Sequence, residues 1–97
     1  MKKSYGASIG EEIHVDCSVL SHEPDLRFEW SFNNTQEVIY LAEDKFSDSG
    51  GGKSTLRYTP RDENQYGNLL CRAENSVGLQ LHPCLFVVYK AGKEVEI

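Results

Sequence analysis

Two pairs of side chains and one loop carry the chemistry in this sequence that goes beyond packing. His14 with Asp16, and His82 with Cys84, stand two positions apart, a spacing that sets both members of a pair on one face of a strand. Nitrogen, oxygen and sulfur donors so placed can hold zinc or another divalent metal. Strand alternation generates such pairs without purpose, however, and no CxxC or HExxH spacing supports these, so solvated strand residues are the better account. The stretch from Ser47 to Ser54, SDSGGGKS, approaches the phosphate-binding pattern GxxxxGK[ST], with serine in place of its first glycine. A phosphate loop must open a helix whose amides face the anion, whereas Ser54 to Thr59 has the composition of a strand. A nucleophilic triad would need a base beside an activated serine or cysteine, and none is evident. The chain is therefore expected to be no enzyme and to take no cofactor, metal or small-molecule substrate.

The cysteines do a different kind of chemistry. Cys17 and Trp30 are 13 positions apart and Cys17 and Cys71 are 54 apart, which is the spacing of an immunoglobulin-type sandwich. There, one cysteine sits on each of two sheets and a tryptophan from a neighbouring strand packs against the bridge. A disulfide closing a loop of that length contributes about 4 kcal/mol in the chain-entropy account. The same two residues can also serve as reduced core cysteines, as in immunoglobulin-like modules of muscle proteins. Two features favour an oxidising compartment. Asn33-Asn34-Thr35 is an acceptor sequence for N-glycosylation on an expected turn, and Cys84 is a third cysteine that needs a partner elsewhere or remains a reactive thiol.

Period-two alternation supplies the elements that must position these residues. Ile13, Val15, Cys17 and Val19 share one face, with Glu12, His14, Asp16 and Ser18 opposite, giving a half-buried strand. Leu26, Phe28, Trp30 and Phe32 repeat the pattern, and Asn33-Asn34 is expected to turn the chain after them. Val38 to Leu41 is a short apolar run suited to an adjoining strand. Ser47 to Gly52 has nothing to bury and is expected to be a flexible loop. Leu56 and Tyr58 mark the next strand, with Leu56 in the core beside Trp30 and Leu69. Pro60 to Tyr66 is a corner with at most a helical turn, leading to a strand in which Leu69, Cys71 and Ala73 face inward. Asn75 to Gly78 is a turn. In the last strand, inward-facing Leu85, Val87 and Tyr89 would leave His82, Cys84, Phe86 and Val88 outside, with Pro83 able to add a bulge. The expected fold is all-β, an immunoglobulin-like antiparallel Greek-key sandwich of two sheets.

One domain accounts for the 97 residues, with the core over about 5–90 and a linker or tail at 91–97. The formal net charge is −5 and the ten Lys and Arg residues are scattered, so no basic stripe offers itself to nucleic acid or to an anionic membrane. No apolar run is long enough to cross a bilayer, and the start lacks the apolar region of a secretion signal, so the chain is expected to be an excised piece.

Tyr66-Gly67-Asn68-Leu69-Leu70-Cys71, followed by Ala73, Asn75, Gly78, Gln80 and Pro83-Cys84, resembles the YGTLLC...A.N..G.Q..PC pattern in immunoglobulin domains of arthropod Sidestep-type receptors. Tyr5-Gly6-Ala7, Gly10-Glu11, the segment from Phe28 to Asn34 and Tyr58-Thr59-Pro60 are similar to that group as well, so nearly the whole chain is covered. The Cys, Trp, Cys, Asn and Gly positions alone resemble a generic adhesion immunoglobulin domain of nephrin-like, hemicentin-like or Dscam-like kind, which stays the alternative. One departure stands out. The corner tyrosine usually lies two residues before the second cysteine; here Leu69 holds that place, and Tyr66 either serves the corner from its own position or stands exposed beside Gly67.

The resemblance implies recognition at the cell surface. Members of the group are partners of Beaten-path-type immunoglobulin proteins in axon guidance, carried on a single-pass membrane protein, with partner binding expected in membrane-distal domains. This pattern is similar to a later, membrane-proximal repeat, so spacing and orienting the chain is the expected task, with other immunoglobulin proteins or neighbouring domains as contacts. The resemblance also implies that Cys84 pairs with a cysteine just upstream, leaving it unpaired here or available to bridge two chains. An adhesive role would fall to the sheet made by the strands at Leu26 to Phe32, Val38 to Leu41 and Leu69 to Ala73 and by the last strand, where Gln36, Glu37, Ile39 and Tyr40 would meet a partner and a glycan on Asn33 would crowd it.

Overall fold

The computed structural model describes residues 2–19, 26–50, 52–74 and 83–91. Among these residues eight strands form two sheets: β1 Lys2–Ala7, β2 Ile13–Ser18, β3 Arg27–Asn33, β4 Val38–Tyr40, β5 Phe46–Gly50, β6 Lys53–Tyr58, β7 Gly67–Glu74 and β8 Cys84–Lys90. One sheet has the order β1-β8-β7-β3-β4 and the other β2-β6-β5. Pairing is antiparallel except at β1, which runs parallel to β8. Short 3-10 turns occupy Glu43–Lys45 and Glu63–Gln65.

The inward rows close into one core. Val15 and Cys17 from β2, Trp30 and Phe32 from β3, Leu56 from β6, Leu69 and Cys71 from β7, and Phe86 and Val88 from β8 are all buried. Trp30 stacks on Phe86 at a centroid distance of 5.8 Å, and Phe32 stacks on Tyr58 at 6.0 Å. Such aromatic pairs add to the stabilisation that buried area alone supplies.

Three expectations need correction, and one strand is new. The last strand has the opposite register: Phe86 and Val88 are buried while Tyr89 is exposed. Its pairing with β7 sets Phe86 opposite Leu69 and Cys84 opposite Cys71 without a shift, and directly opposed residues share a face. Inward Leu69 and Cys71 thus draw Phe86 and Cys84 inward. Ser47 to Gly50 is not a loop but most of β5, paired with β6 through a bulge between Asp48 and Gly50. Backbone bonding, not side-chain burial, makes it a strand. Asn33 ends β3, so the turn begins at Asn34 and not before it. The new strand is β1, absent from the alternation and held by its parallel partner and by Tyr5 and Ala7 packing on the core. The turn at 75–78, His82 and the tail from 92 onward lie outside the described residues.

Candidate functional site

Cys17 and Cys71 form a disulfide with their Cα atoms 6.4 Å apart. Trp30 is the cross-strand neighbour of Cys71 in one sheet, and Ser54 that of Cys17 in the other. The Trp30 indole donates a 3.0 Å hydrogen bond to Oγ of buried Ser54, so two links, one covalent and one polar, join the sheets at the same level. This places the last residue of the near-phosphate-loop motif inside the core, bonded to tryptophan. Cys84 is a free thiol, partly buried against the core at the start of β8.

The corner before β7 is tied by two tyrosines. The Tyr58 hydroxyl donates to the carbonyl of Gln65 at 2.7 Å, and the Tyr66 hydroxyl to the carbonyl of Ala7 at 2.7 Å. Tyr66 therefore serves the corner from its own position, reaching across to β1, and is not merely exposed. Burial first, then the charge of Asp62 and the neighbouring Tyr66, pushes the Tyr58 hydroxyl up to about 12.

His14 and Asp16 lie on the outer face of β2. Asp16 accepts a 2.8 Å hydrogen bond from Thr55 Oγ1 and has Lys53 4.0 Å away, while His14 has Glu12 at 3.5 Å. Among the described residues no group of three His, Cys, Asp or Glu side chains is placed to hold a metal.

The four residues considered for partner contact do not share one surface. Gln36 and Glu37 sit in the β3–β4 turn, where Asn34 Oδ1 accepts from both of their amides at 2.8 and 2.9 Å. Ile39 is opposite buried Phe32 and so belongs to the inner face at the sheet's edge. There it lines a cleft of about 560 Å³ with Phe32, Leu41, Tyr58, Arg57 and Lys45. Tyr40 is opposite Ser31 on the outer face and is 64% exposed.

Sequence reasoning points to the sheet that carries β3, β4, β7 and β8 but does not give the pattern of its outer face. Register aligns Val87, Asn68, Asn33 and Val38 in one row across β8, β7, β3 and β4, and Leu85, Leu70, Ser31 and Tyr40 in the next. Farther along β3 and β7, Glu29 faces Arg72 and Arg27 faces Glu74, opposite charges in adjacent pairs. The outer face is thus charge-paired at one end and largely apolar at the other. No single strand displays this pattern; it exists only once four are in register.

No family model matches the chain and no curated protein matches it. Solved structures do. The M1 domain from titin superposes with a TM-score of 0.67 at 14% identity, over 97% of this chain and 92% of that one. A structure from work on multimeric cell-adhesive interactions of VGSC beta subunits gives 0.69 at 16%, over 95% and 93%. The Dscam1 Ig7 domain, isoform 9, gives 0.57 at 20%, over 93% of each. At these identities the likeness speaks for architecture alone: with its bridged two-sheet core, the chain has the immunoglobulin-like fold.

Proposed function

We propose that this domain is an extracellular module of a membrane-anchored cell-surface receptor, one that spaces and orients neighbouring domains and acts through protein contact and not catalysis. The parallel pairing of β1 with β8 carries the reading. Lys2 lies beside Leu85 and Ala7 beside Lys90, so the backbone enters the larger sheet at one end and leaves it at the other. Domains joined through such ends line up in series; an antiparallel pair would return the chain to the end where it entered. The Cys17–Cys71 bridge suits an oxidising compartment, and the Asn33 acceptor sequence suits passage through the secretory route. Likeness in fold to Dscam1 Ig7 and to the VGSC beta structure is in keeping with adhesion proteins. Residues 66–71 with Pro83-Cys84 support the narrower reading, a Sidestep-type repeat used in neuronal recognition. The competing class, an intracellular structural module, would keep Cys17 and Cys71 reduced.

An adhesive role is the second reading, favoured by Val38, Ile39 and Tyr40 at 54%, 43% and 64% exposure on edge strand β4. Beads coated with the secreted domain separate the two. A spacer leaves the beads dispersed; clumping that disappears in Tyr40→Lys would establish adhesion in its place.

A further inference from the structure

We propose that an N-linked glycan on Asn33 lies along the apolar half of the larger sheet's outer face and is what covers it. The inference rests on the extracellular reading. Asn33 is not out on a loop tip but is the last residue of β3, in the row between Asn68 and Val38. Its parity along the strand is opposite to that of buried Trp30 and Phe32, so its side chain leaves the sheet on the outer face. Directly opposed residues have Cβ atoms about 5 Å apart and diagonal neighbours lie roughly 7–8 Å away. Leu70 and Tyr40 are the diagonal neighbours of Asn33, on β7 and β4 respectively.

A glycan anchored here starts with Val38 and Tyr40 on one flank and with Asn68 and Leu70 on the other. The ring faces of N-acetylglucosamine present C–H groups that pack on aromatic and aliphatic surface, and Tyr40 and Val38 are the most exposed large apolar residues on this side. Asn34, next in the chain, is committed elsewhere: Oδ1 caps two amides of the turn and Nδ2 donates to the carbonyl of Asn64 at 2.9 Å. The turn is therefore held while Asn33 remains the acceptor. A face that would otherwise expose apolar surface to other proteins is occupied from within the same chain, which suits a domain that spaces its neighbours.

Hydroxyl-radical footprinting of the domain secreted from eukaryotic cells tests this. Labelling of Tyr40 and Leu70 is compared before and after enzymatic release of the glycan, with His14 on the outer face of the other sheet as internal reference, and in Asn33→Gln made the same way. Tyr40 and Leu70 are expected to label severalfold faster without the glycan while His14 is unchanged. Equal rates with and without glycan would overturn the proposal, and the enzymatic arm decides it even if Asn33→Gln folds poorly. Unoccupied Asn33 on a protein whose Cys17–Cys71 bridge is intact would overturn the proposal alone; unoccupied Asn33 together with reduced cysteines in native material would overturn the extracellular reading too.

Discussion

Trp30 Nε1 and Ser54 Oγ form a 3.0 Å hydrogen bond in the sealed space between the two sheets, one position across from the Cys17–Cys71 bridge on either side. Each partner satisfies a polar group that has no access to water. Ser54→Ala leaves the indole N–H unpaired and should lower unfolding free energy by about 1–3 kcal/mol. In a Trp30→Phe background the same change removes an already orphaned hydroxyl, so its cost should shrink or reverse. Denaturant unfolding of the four proteins in this cycle measures both values.

The disulfide acts mainly through the unfolded chain. Replacing Cys17 and Cys71 together by alanine should cost about 4 kcal/mol from loop entropy, a large part of what a small domain has. Calorimetry with and without reductant should show the same drop in the native protein and none in the double variant. Thiol counting in denaturant should give one thiol before reduction, from Cys84.

Gly52 and Gly10 both have positive φ, at 80° and 86°, yet their surroundings differ. A Cβ on Gly52 would sit 2.5 Å from the Val19 carbonyl oxygen, which itself cannot move freely because Val19 N–H donates to the Gly52 carbonyl at 2.8 Å. A Cβ on Gly10 would meet nothing within 4 Å. Gly52→Ala should therefore destabilise by more than the roughly 1 kcal/mol expected of Gly10→Ala from backbone conformation alone. Comparable melting temperatures for the two variants would refute this.

Tyr58 makes stability fall at high pH. Its folded value, about 12, stands above the ordinary value of 10 shown by the unfolded chain, so the unfolded state loses this proton first. The contribution is complete below pH 10 and is lost as pH rises toward about 12. In Tyr58→Phe, that part of the decline between pH 10 and 12 should be missing, as the difference between the two stability profiles would show. Tyr66→Phe, which loses the bond to Ala7, should cost about 0.5–1.5 kcal/mol at neutral pH.

Which parts were legible in the sequence follows from what fixes each strand. β2, β3, β6 and β7 alternate apolar with polar residues, so Val15, Cys17, Trp30, Leu56 and Leu69 declare their faces without a partner. β8 does not, because Leu85 and Val87 are as apolar as Phe86 and Val88; only pairing with β7 decides which pair turns inward. β1 and β5 carry Lys, Ser, Asp and Gly and are strands through neighbours they bond. The same limit applied to the site. Tyr40 was visible as an exposed residue, but its companions Leu70, Leu85 and Val87 come from strands far apart in sequence and meet it only through register.

Peptide mapping of the native protein, digested without reduction, tests the central claim most directly. An extracellular module should yield the Cys17 and Cys71 peptides joined to each other and the Asn33 peptide carrying a glycan. Cysteines recovered reduced, with Asn33 unmodified, would contradict that claim and point to an intracellular structural domain of the same fold.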